Sequence, residues 1–407
     1  MEIKTVELFA GVGGFRLGLE KASKRFKTVY MNQWEPIDVH QNAFKCYESN
    51  FGKSKNNICK DIANIIDEIP EHDLLVAGFP CQDYSIAKKN SKGILGKKGA
   101  LWWKINEIIE NKRPTCVFLE NVDRLIVSPS KQKGRDFSVI LRCFYEAGYA
   151  VEWRVINAAD YGQAQRRRRT FIVAYRNDTE QFKSIAKLSR CLGSIGFHNF
   201  LIKHSVLSHA FPVYNKRGLR SGKIINENEY FNMEELFNRI KLNYYNSGAM
   251  VNGWVYSEEV VPICETSIPL SDILVNERVD EKYFLKNSDL PKWKYLKGAK
   301  SEYRTSFSGK KYYFQEGRVA FPDVLNRPAR TMLTSESSIS RSSHVVVDKT
   351  TNRLRTLVPE ECERLNGFPD GWTAMIEEKY RYFTMGNALV VPIVTRIGKI
   401  LEKTVFT

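Results

Sequence analysis

Residues 8–20, LFAGVGGFRLGLE, decide the fold. They read as the end of an apolar strand, a turn holding Gly11, Gly13 and Gly14, and the start of a helix. Glycines at such a turn let the backbone adopt positive φ and approach a ligand closely. A Gly-rich strand-to-helix turn is shared by many nucleotide-binding folds, and it can equally be no more than a tight turn.

Working outward, the first 176 residues alternate between strand and helix patterns. Apolar strands are expected at Thr5–Phe9, Thr28–Trp34, Asp73–Pro80, Cys116–Glu120, Val151–Asn157 and Thr170–Tyr175. Between them, Ile37–Asn50, Leu101–Asn111 and Asp136–Ala147 repeat apolar residues every three or four positions, as amphipathic helices do. This alternation predicts an α/β fold, a mostly parallel sheet covered on both faces, with ligands beyond the carboxyl ends of its strands. After Tyr175 the pattern breaks down. Residues 177–326 mix short helical stretches with aromatic and basic loops and read as an irregular second lobe. From Gly386 to Leu401 a helical apolar pattern returns, as a helix packing back onto the first lobe would show.

The 407 residues predict two lobes, since single domains usually run to about 100–200 residues. No apolar run approaches the ~20 residues of a membrane span, and Glu2 and Lys4 sit where a signal peptide would differ, so a cytoplasmic location is expected. Eight cysteines, at 46, 59, 81, 116, 143, 191, 264 and 362, include no CxxC pair, which gives a zinc site or disulfide framework little support. The net charge is +16, and residues 1–176 alone hold 29 Lys+Arg against 20 Asp+Glu. A polyanionic substrate explains that excess, because phosphate neutralisation dominates nucleic-acid affinity.

Three further constellations follow the glycine turn. GFPCQDYS, 78–85, sets Cys81 at a strand end in a polar context, where a loop entering a helix would favour the reactive thiolate, though taken alone such a residue is more often a buried structural cysteine. FLENV, 118–122, ends an apolar strand on Glu120, a potential general acid or a plain helix cap. YGQAQRRRRTFIVAY, 161–175, opens a strand with four arginines, suited to phosphate and base contacts though a charge run is often only a solvated face.

Together, and in this order, these motifs resemble the DNA cytosine-5 methyltransferases along nearly the whole chain. The resemblance rests on FAGVGGFR, Asp61-Ile62, Pro80-Cys81-Gln82, Glu120-Asn121-Val122, Gln165-x-Arg167-x-Arg169, Arg327-Pro-x-Arg330-Thr, RLRTLVPEECERLNGFPDGW at 353–372, and Gly386-Asn387-Ala388. It implies a Rossmann-like S-adenosylmethionine-dependent methyltransferase sheet with a smaller target-recognition domain. The division expected is 1–176, completed by 385–407, for catalysis and cofactor, and 177–384 for target recognition and hinge. Double-stranded DNA would lie in the cleft, and sequence specificity would reside in 177–326.

By the same resemblance Cys81 is the nucleophile that adds to carbon 6 of cytosine, Glu120 stabilises the ring, and Arg167 and Arg169 hold the flipped base and a phosphate. S-adenosylmethionine, leaving as S-adenosylhomocysteine, would contact Phe9, Gly11, Gly13, Gly14, Phe15, Trp34, Asp61, Ile62, Gly78, Pro80, Leu101 and Asn387. The lysine-rich stretch 88–98 resembles a loop that closes on DNA, with Ser85, Lys88, Lys89 and Lys92 as DNA contacts. No metal is implied. One departure stands out: Gln33-Trp34-Glu35 carries its acid after the tryptophan instead of before it, so either Gln33 or Glu35 is the ribose ligand. Relatives with the same catalytic motifs act on transfer RNA, but a variable lobe of this size favours sequence-specific DNA recognition. The compact chain looks like a monomeric bacterial or phage modification enzyme paired with a restriction endonuclease.

Overall fold

The glycine turn leaves a strand, β1 (Ile3–Leu8), whose neighbours β2 (Phe26–Asn32) and β4 (Leu74–Gly78) both run parallel to it. The computed structural model describes residues 1–79, 100–129, 133–223, 244–306 and 309–407. Beyond β2 lies the short β3 (Asn57–Ile58), and beyond β4 lies β5 (Cys116–Val122), again in parallel. From there the sheet turns antiparallel through β7 (Arg168–Arg176) and β6 (Tyr149–Asn157). The expectation of a mostly parallel sheet therefore needs correcting. Only ten residues, 158–167, join β6 to β7, fewer than a parallel crossover needs, so β7 returns antiparallel.

Side chains alternate across this sheet. Leu74, Val76, Cys116 and Phe118 enter one core, shared with Phe15 and Leu19 of helix α1 (Gly14–Ala22). Leu75, Ala77, Val117 and Leu119 enter the other, beneath helices at Ala100–Lys112 and Arg135–Glu146. Strands buried on both faces read as unbroken apolar runs, which is why they stand out in the sequence.

The region after Tyr175 is more ordered than its sequence suggests. Glu180–Asn199 is a 20-residue helix. Strands β8 (Val213–Lys223), β9 (Ser247–Val251) and β10 (Trp254–Pro262) then extend the large sheet, giving the order β3-β2-β1-β4-β5-β7-β6-β9-β10-β8. A boundary after residue 176 thus falls inside the sheet. The join depends on Gly248, whose added Cβ would stand 2.1 Å from the Trp153 ring and 2.4 Å from the Tyr256 carbonyl. A glycine in a five-residue strand is a weak strand signal, and its reason here lies in the partner strand.

At the other end, the C-terminal helix Val391–Thr404 packs on α1. Gly18 faces Val394, and Gly398 faces Ala22 and Leu19, so small residues let the two helices come close. The expected helix over Gly386–Leu401 is in fact two. Glu378–Asn387 ends at an extended Ala388, and the second helix starts with Pro392 in its first turn, where the missing N–H costs nothing. Two small antiparallel sheets complete the structure: β11 (Lys300–Thr305) with β12 (Lys311–Glu316), and β13 (Val345–Val347) with β14 (Leu354–Thr356). No single helix among the described residues is long and apolar enough to cross a membrane.

Replacing Gly248 by Val should destabilise the protein by roughly 1–3 kcal/mol or more, the range for overfilling a packed site. Denaturant unfolding checks it; an unchanged midpoint would mean that the β6–β9 junction is not packed as described.

Candidate active site

Strand order reverses between β1 and β4, so the loops leaving their carboxyl ends part and open a crevice. The loop after β1 is held in an unusual backbone state: Phe9, Gly11 and Gly13 all have positive φ, at 52, 57 and 85°. For a bulky residue such as Phe9 that conformation is strained and marks a constrained site. The glycines differ in purpose. An added Cβ on Gly11 meets nothing within 4 Å, so its backbone faces open space. One on Gly13 would lie 2.3 Å from the Phe51 ring, and one on Gly14 3.0 Å from Leu389. Those two serve packing as much as any ligand.

The ends of β1, β2 and β3 are laced together. Ala10 N–H donates to the Asn32 carbonyl, Gln33 N–H to the Ile58 carbonyl, and the Asn32 amide reaches the Ile58 and Lys60 carbonyls. Gln33 is buried, and its Oε1 accepts from Gly11 N–H at 2.7 Å. It pins the glycine turn. Trp34 is exposed. Asp61 is half-buried and its Oδ1 caps the turn that follows, accepting from Ala63 N–H. Ile62 is buried in the core with Leu8, Leu101 packs at the edge of the same core, and Phe15 lies edge-on to Phe118 at 5.1 Å. Asn387 is exposed at a helix end, just before the Leu389 that covers Gly14. An open backbone at Gly11, an exposed indole and a half-buried carboxylate on adjoining strand ends fit an adenosine-bearing ligand.

Across the crevice, Glu120 sits beside Gly78 at the end of β5, and Arg169 stands on the adjacent strand β7. Arg169 Nε lies 2.9 Å from Glu120 Oε1. Burial raises the Glu120 pKa, and the Arg169 and Arg167 guanidiniums oppose that rise. The result is a carboxyl that can hold or release a proton in a low-dielectric pocket. Asn121 donates from Nδ2 to the Phe79 carbonyl at 3.2 Å, fixing the backbone that leads into Pro80-Cys81. Pro80, Cys81, Ser85, Lys88, Lys89 and Lys92 lie outside the described residues.

The four arginines separate by strand alternation. Arg166 and Arg168 are exposed, and Arg168 pairs with Asp123 at 3.2 Å. Arg167 is buried and donates to the carbonyls of Met332 at 3.0 Å and Gly386 at 2.9 Å. Of the two arginines expected to hold the flipped base and a phosphate, Arg167 spends these two hydrogen bonds on the protein's own backbone. Beside it Gln165, fully buried, donates to the Leu365 carbonyl and Asn366 Oδ1 and accepts from Met332 N–H. Asn366 donates in turn to the Met385 carbonyl. Gly386 is required at this junction, since an added Cβ would meet Thr334 N at 2.4 Å. Sequence reading gave Gln165, Asn366 and Gly386 no role. Their partners lie on distant segments, so no local pattern in the sequence announces the junction.

A second buried acid lies beneath the glycine turn. Glu7 accepts from Arg16 N–H at 3.3 Å and from the Tyr47 hydroxyl at 3.1 Å. Burial pushes its pKa up to about 7 against those two hydrogen bonds.

With this geometry, comparison with known proteins is informative. The profile of the C-5 cytosine-specific DNA methylases matches residues 3–403. The Type II methyltransferase M.Sau3AI of Staphylococcus aureus is 48% identical over 99% of this chain and 96% of its own. M.HhaI of Haemophilus parahaemolyticus, also a Type II methyltransferase, is 38% identical over 43% of this chain and 50% of its own. Among solved structures, the S. pombe Dnmt2 methyltransferase superposes with a TM-score of 0.59 at 16% identity over 99% of both chains. The Entamoeba histolytica methyltransferase EhMeth gives 0.54 at 14% over 99% of this chain and 98% of its own. The last two bear on the fold alone. The chain belongs to the C-5 cytosine-specific DNA methylases. It is a DNA (cytosine-5-)-methyltransferase, and its substrate is DNA.

Two outcomes follow from the buried polar groups. Gln165→Ala strands three hydrogen-bonding partners and should lower stability by about 2–5 kcal/mol, with faster hydrogen exchange at the Met332 amide. Unchanged exchange there would remove the clamp. For Glu7, the folded state keeps a proton that the unfolded chain loses above its ordinary value of 4.5. Its contribution is therefore complete below pH 4.5 and lost as pH rises to about 7. Glu7→Gln should gain on the wild type across that window, by on the order of 3 kcal/mol at its upper end. Parallel stability–pH curves for the two proteins would contradict the assignment.

Proposed function

We propose that the chain methylates carbon 5 of cytosine within a specific double-stranded DNA sequence, through a covalent Cys81–cytosine adduct formed after the target base leaves the stack. The observation that carries this reading is the Glu120–Arg169 pair at the end of β5, beside the Gly78-Phe79 backbone that leads to Cys81. Carbon 5 of cytosine is a poor nucleophile. A thiolate adding to carbon 6 gives the ring enamine character, and Cys81 supplies that thiolate. Glu120 holds the ring nitrogen and exocyclic amine as charge develops, while Arg169 orients Glu120 and faces the base. Proton loss at carbon 5 then expels Cys81 and restores the aromatic ring. A stacked base cannot reach these groups, so it must flip.

S-adenosylmethionine, when bound, supplies an electrophilic methyl group and leaves as S-adenosylhomocysteine. Gly11, Gly13 and the strained Phe9 form its cradle, with Phe15 and Gly78 behind it. Trp34, Asp61 and Ile62 flank the adenine, Glu35 takes the ribose, and Pro80, Leu101 and Asn387 close the methionine side. Arg166 and Arg168, exposed at the same strand end, add phosphate contacts to the base and phosphate contacts of Arg167 and Arg169. Ser85, Lys88, Lys89 and Lys92 add contacts from the loop after Cys81. Target recognition falls mainly to the small sheets after residue 262, with the large sheet and C-terminal helix as the catalytic body. Similarity to Type II methyltransferases supports a role in protecting DNA from a cognate restriction endonuclease, and a monomer in a bacterial cytoplasm completes the reading.

The test is covalent trapping. Fluorine at carbon 5 permits addition and methylation but cannot leave as a cation. Duplex DNA with 5-fluorocytosine at the target, first located by bisulfite sequencing, should form a denaturation-resistant adduct only with S-adenosylmethionine present. Peptide mapping should place it on Cys81, and Cys81→Ser should abolish it while DNA binding persists. An adduct that survives Cys81→Ser, or an active enzyme that never gives one, overturns the mechanism.

A further inference from the structure

The β11–β12 hairpin is a two-stranded ribbon whose two faces differ in chemistry. Ser301 pairs with Gln315, Tyr303 with Tyr313, and Thr305 with Lys311, and these six form one fully exposed face. That face carries hydroxyls, one amide, one ammonium and no acid. Its aromatic pair is preset: Tyr303 and Tyr313 meet edge-on at 5.1 Å, and Ser301 hydrogen-bonds the Tyr313 hydroxyl. Yet Tyr303 is 78% exposed and Tyr313 54%.

The opposite face is spent on anchoring. Both acids of the ribbon point there, and both are neutralised: Glu302 by Arg304 at 2.6 Å, Glu316 by Lys300 at 3.0 Å and Arg341 at 2.9 Å. Arg304 also lies 3.6 Å from the centre of the Phe314 ring. Arg341 reaches on to the carbonyls of Leu296, Gly298 and Gly317, and Lys300 to that of Leu296. Arg341 belongs to the segment that follows Thr334, which packs on Gly386 beside the Arg167 clamp. The ribbon is thus fixed, through a short path, to the strand that carries Arg169.

We propose that the exposed face of the β11–β12 ribbon enters the major groove and reads the bases of the target site. An antiparallel ribbon fits a groove about 12 Å wide, and amide, hydroxyl and ammonium groups are the side chains that pair with base edges there. Gln315 suits an adenine edge, Lys311 a guanine edge or phosphate, and the Thr305 methyl a thymine. The rigid back face holds the reader in register with the catalytic pocket, as sequence-specific flipping demands.

This inference rests on the duplex-DNA reading above, and the experiment separates the two. First, bisulfite sequencing of DNA modified by the wild-type protein defines its site; an enzyme that modifies no duplex cytosine would fail that reading itself. Next, Gln315→Ala, Tyr303→Ala and Lys311→Gln are assayed for kcat/KM on the cognate duplex and on duplexes with one base pair changed. Thermal melting and S-adenosylmethionine binding serve as controls. Discrimination at one or two base-pair positions should fall roughly 10- to 100-fold in Gln315→Ala or Tyr303→Ala, with melting and cofactor binding unchanged. Lys311→Gln should either relax one position likewise or reduce the salt slope of DNA binding by about one. Wild-type discrimination in the first two variants, by an enzyme that still methylates its site, would overturn the proposal.

Discussion

Three distant segments meet on the side chains of Gln165 and Arg167, and the site depends on that junction. Gln165 holds the backbone at Met332 and Leu365, and Arg167 holds it at Met332 and Gly386. Both residues sit just before β7, whose next inward residue is Arg169, the partner of Glu120. Buried donors and acceptors are costly when unpaired, so such a junction tolerates one geometry and no other. The Glu120–Arg169 pair, the segment bearing Arg330 and the end of helix Glu378–Asn387 are therefore set in register by two polar side chains.

The same economy runs through the motif RLRTLVPEECERLNGFPDGW. Arg355 is buried between Asp348, at 2.9 Å, and Glu361, at 2.7 Å. Glu361 also accepts from Val358 N–H and Val275 N–H, and Glu363 from Gly371 N–H and Thr373 N–H. Arg330 grips Asp323 with two nitrogens at 2.7 and 3.1 Å. Buried charges are tolerated only when fully paired, and removing one partner leaves the other exposed to the full desolvation penalty. These charged residues are architectural: they fix the backbone around a motif whose Leu357, Cys362, Leu365 and Phe368 are buried in the core.

Charge that remains at the surface has a different character. Arg166 and Arg168 project outward, and the exposed face of the β11–β12 ribbon carries no acid. The interior pairs cancel, whereas Arg166 and Arg168, the latter beside Asp123 at 3.2 Å, stay at the surface, where cations attract a polyanion.

Sequence alone determined the α/β class, the parallel half of the sheet and the family to which the chain belongs. Strands such as Leu74–Gly78 and Cys116–Val122 are buried on both faces, so their apolar runs are legible without partners. The tertiary structure decided what depends on distant neighbours. Gly248 makes sense only against Trp153, so the strands of 213–262 could not be assigned to the large sheet in advance. The helix over 386–401 broke at Ala388, with Pro392 opening the second segment. Strand alternation turned Arg167 inward and Arg166 outward, a distinction that four identical letters cannot carry. Local pattern records burial and propensity, whereas the direction of a side chain depends on pairings made only when the chain folds.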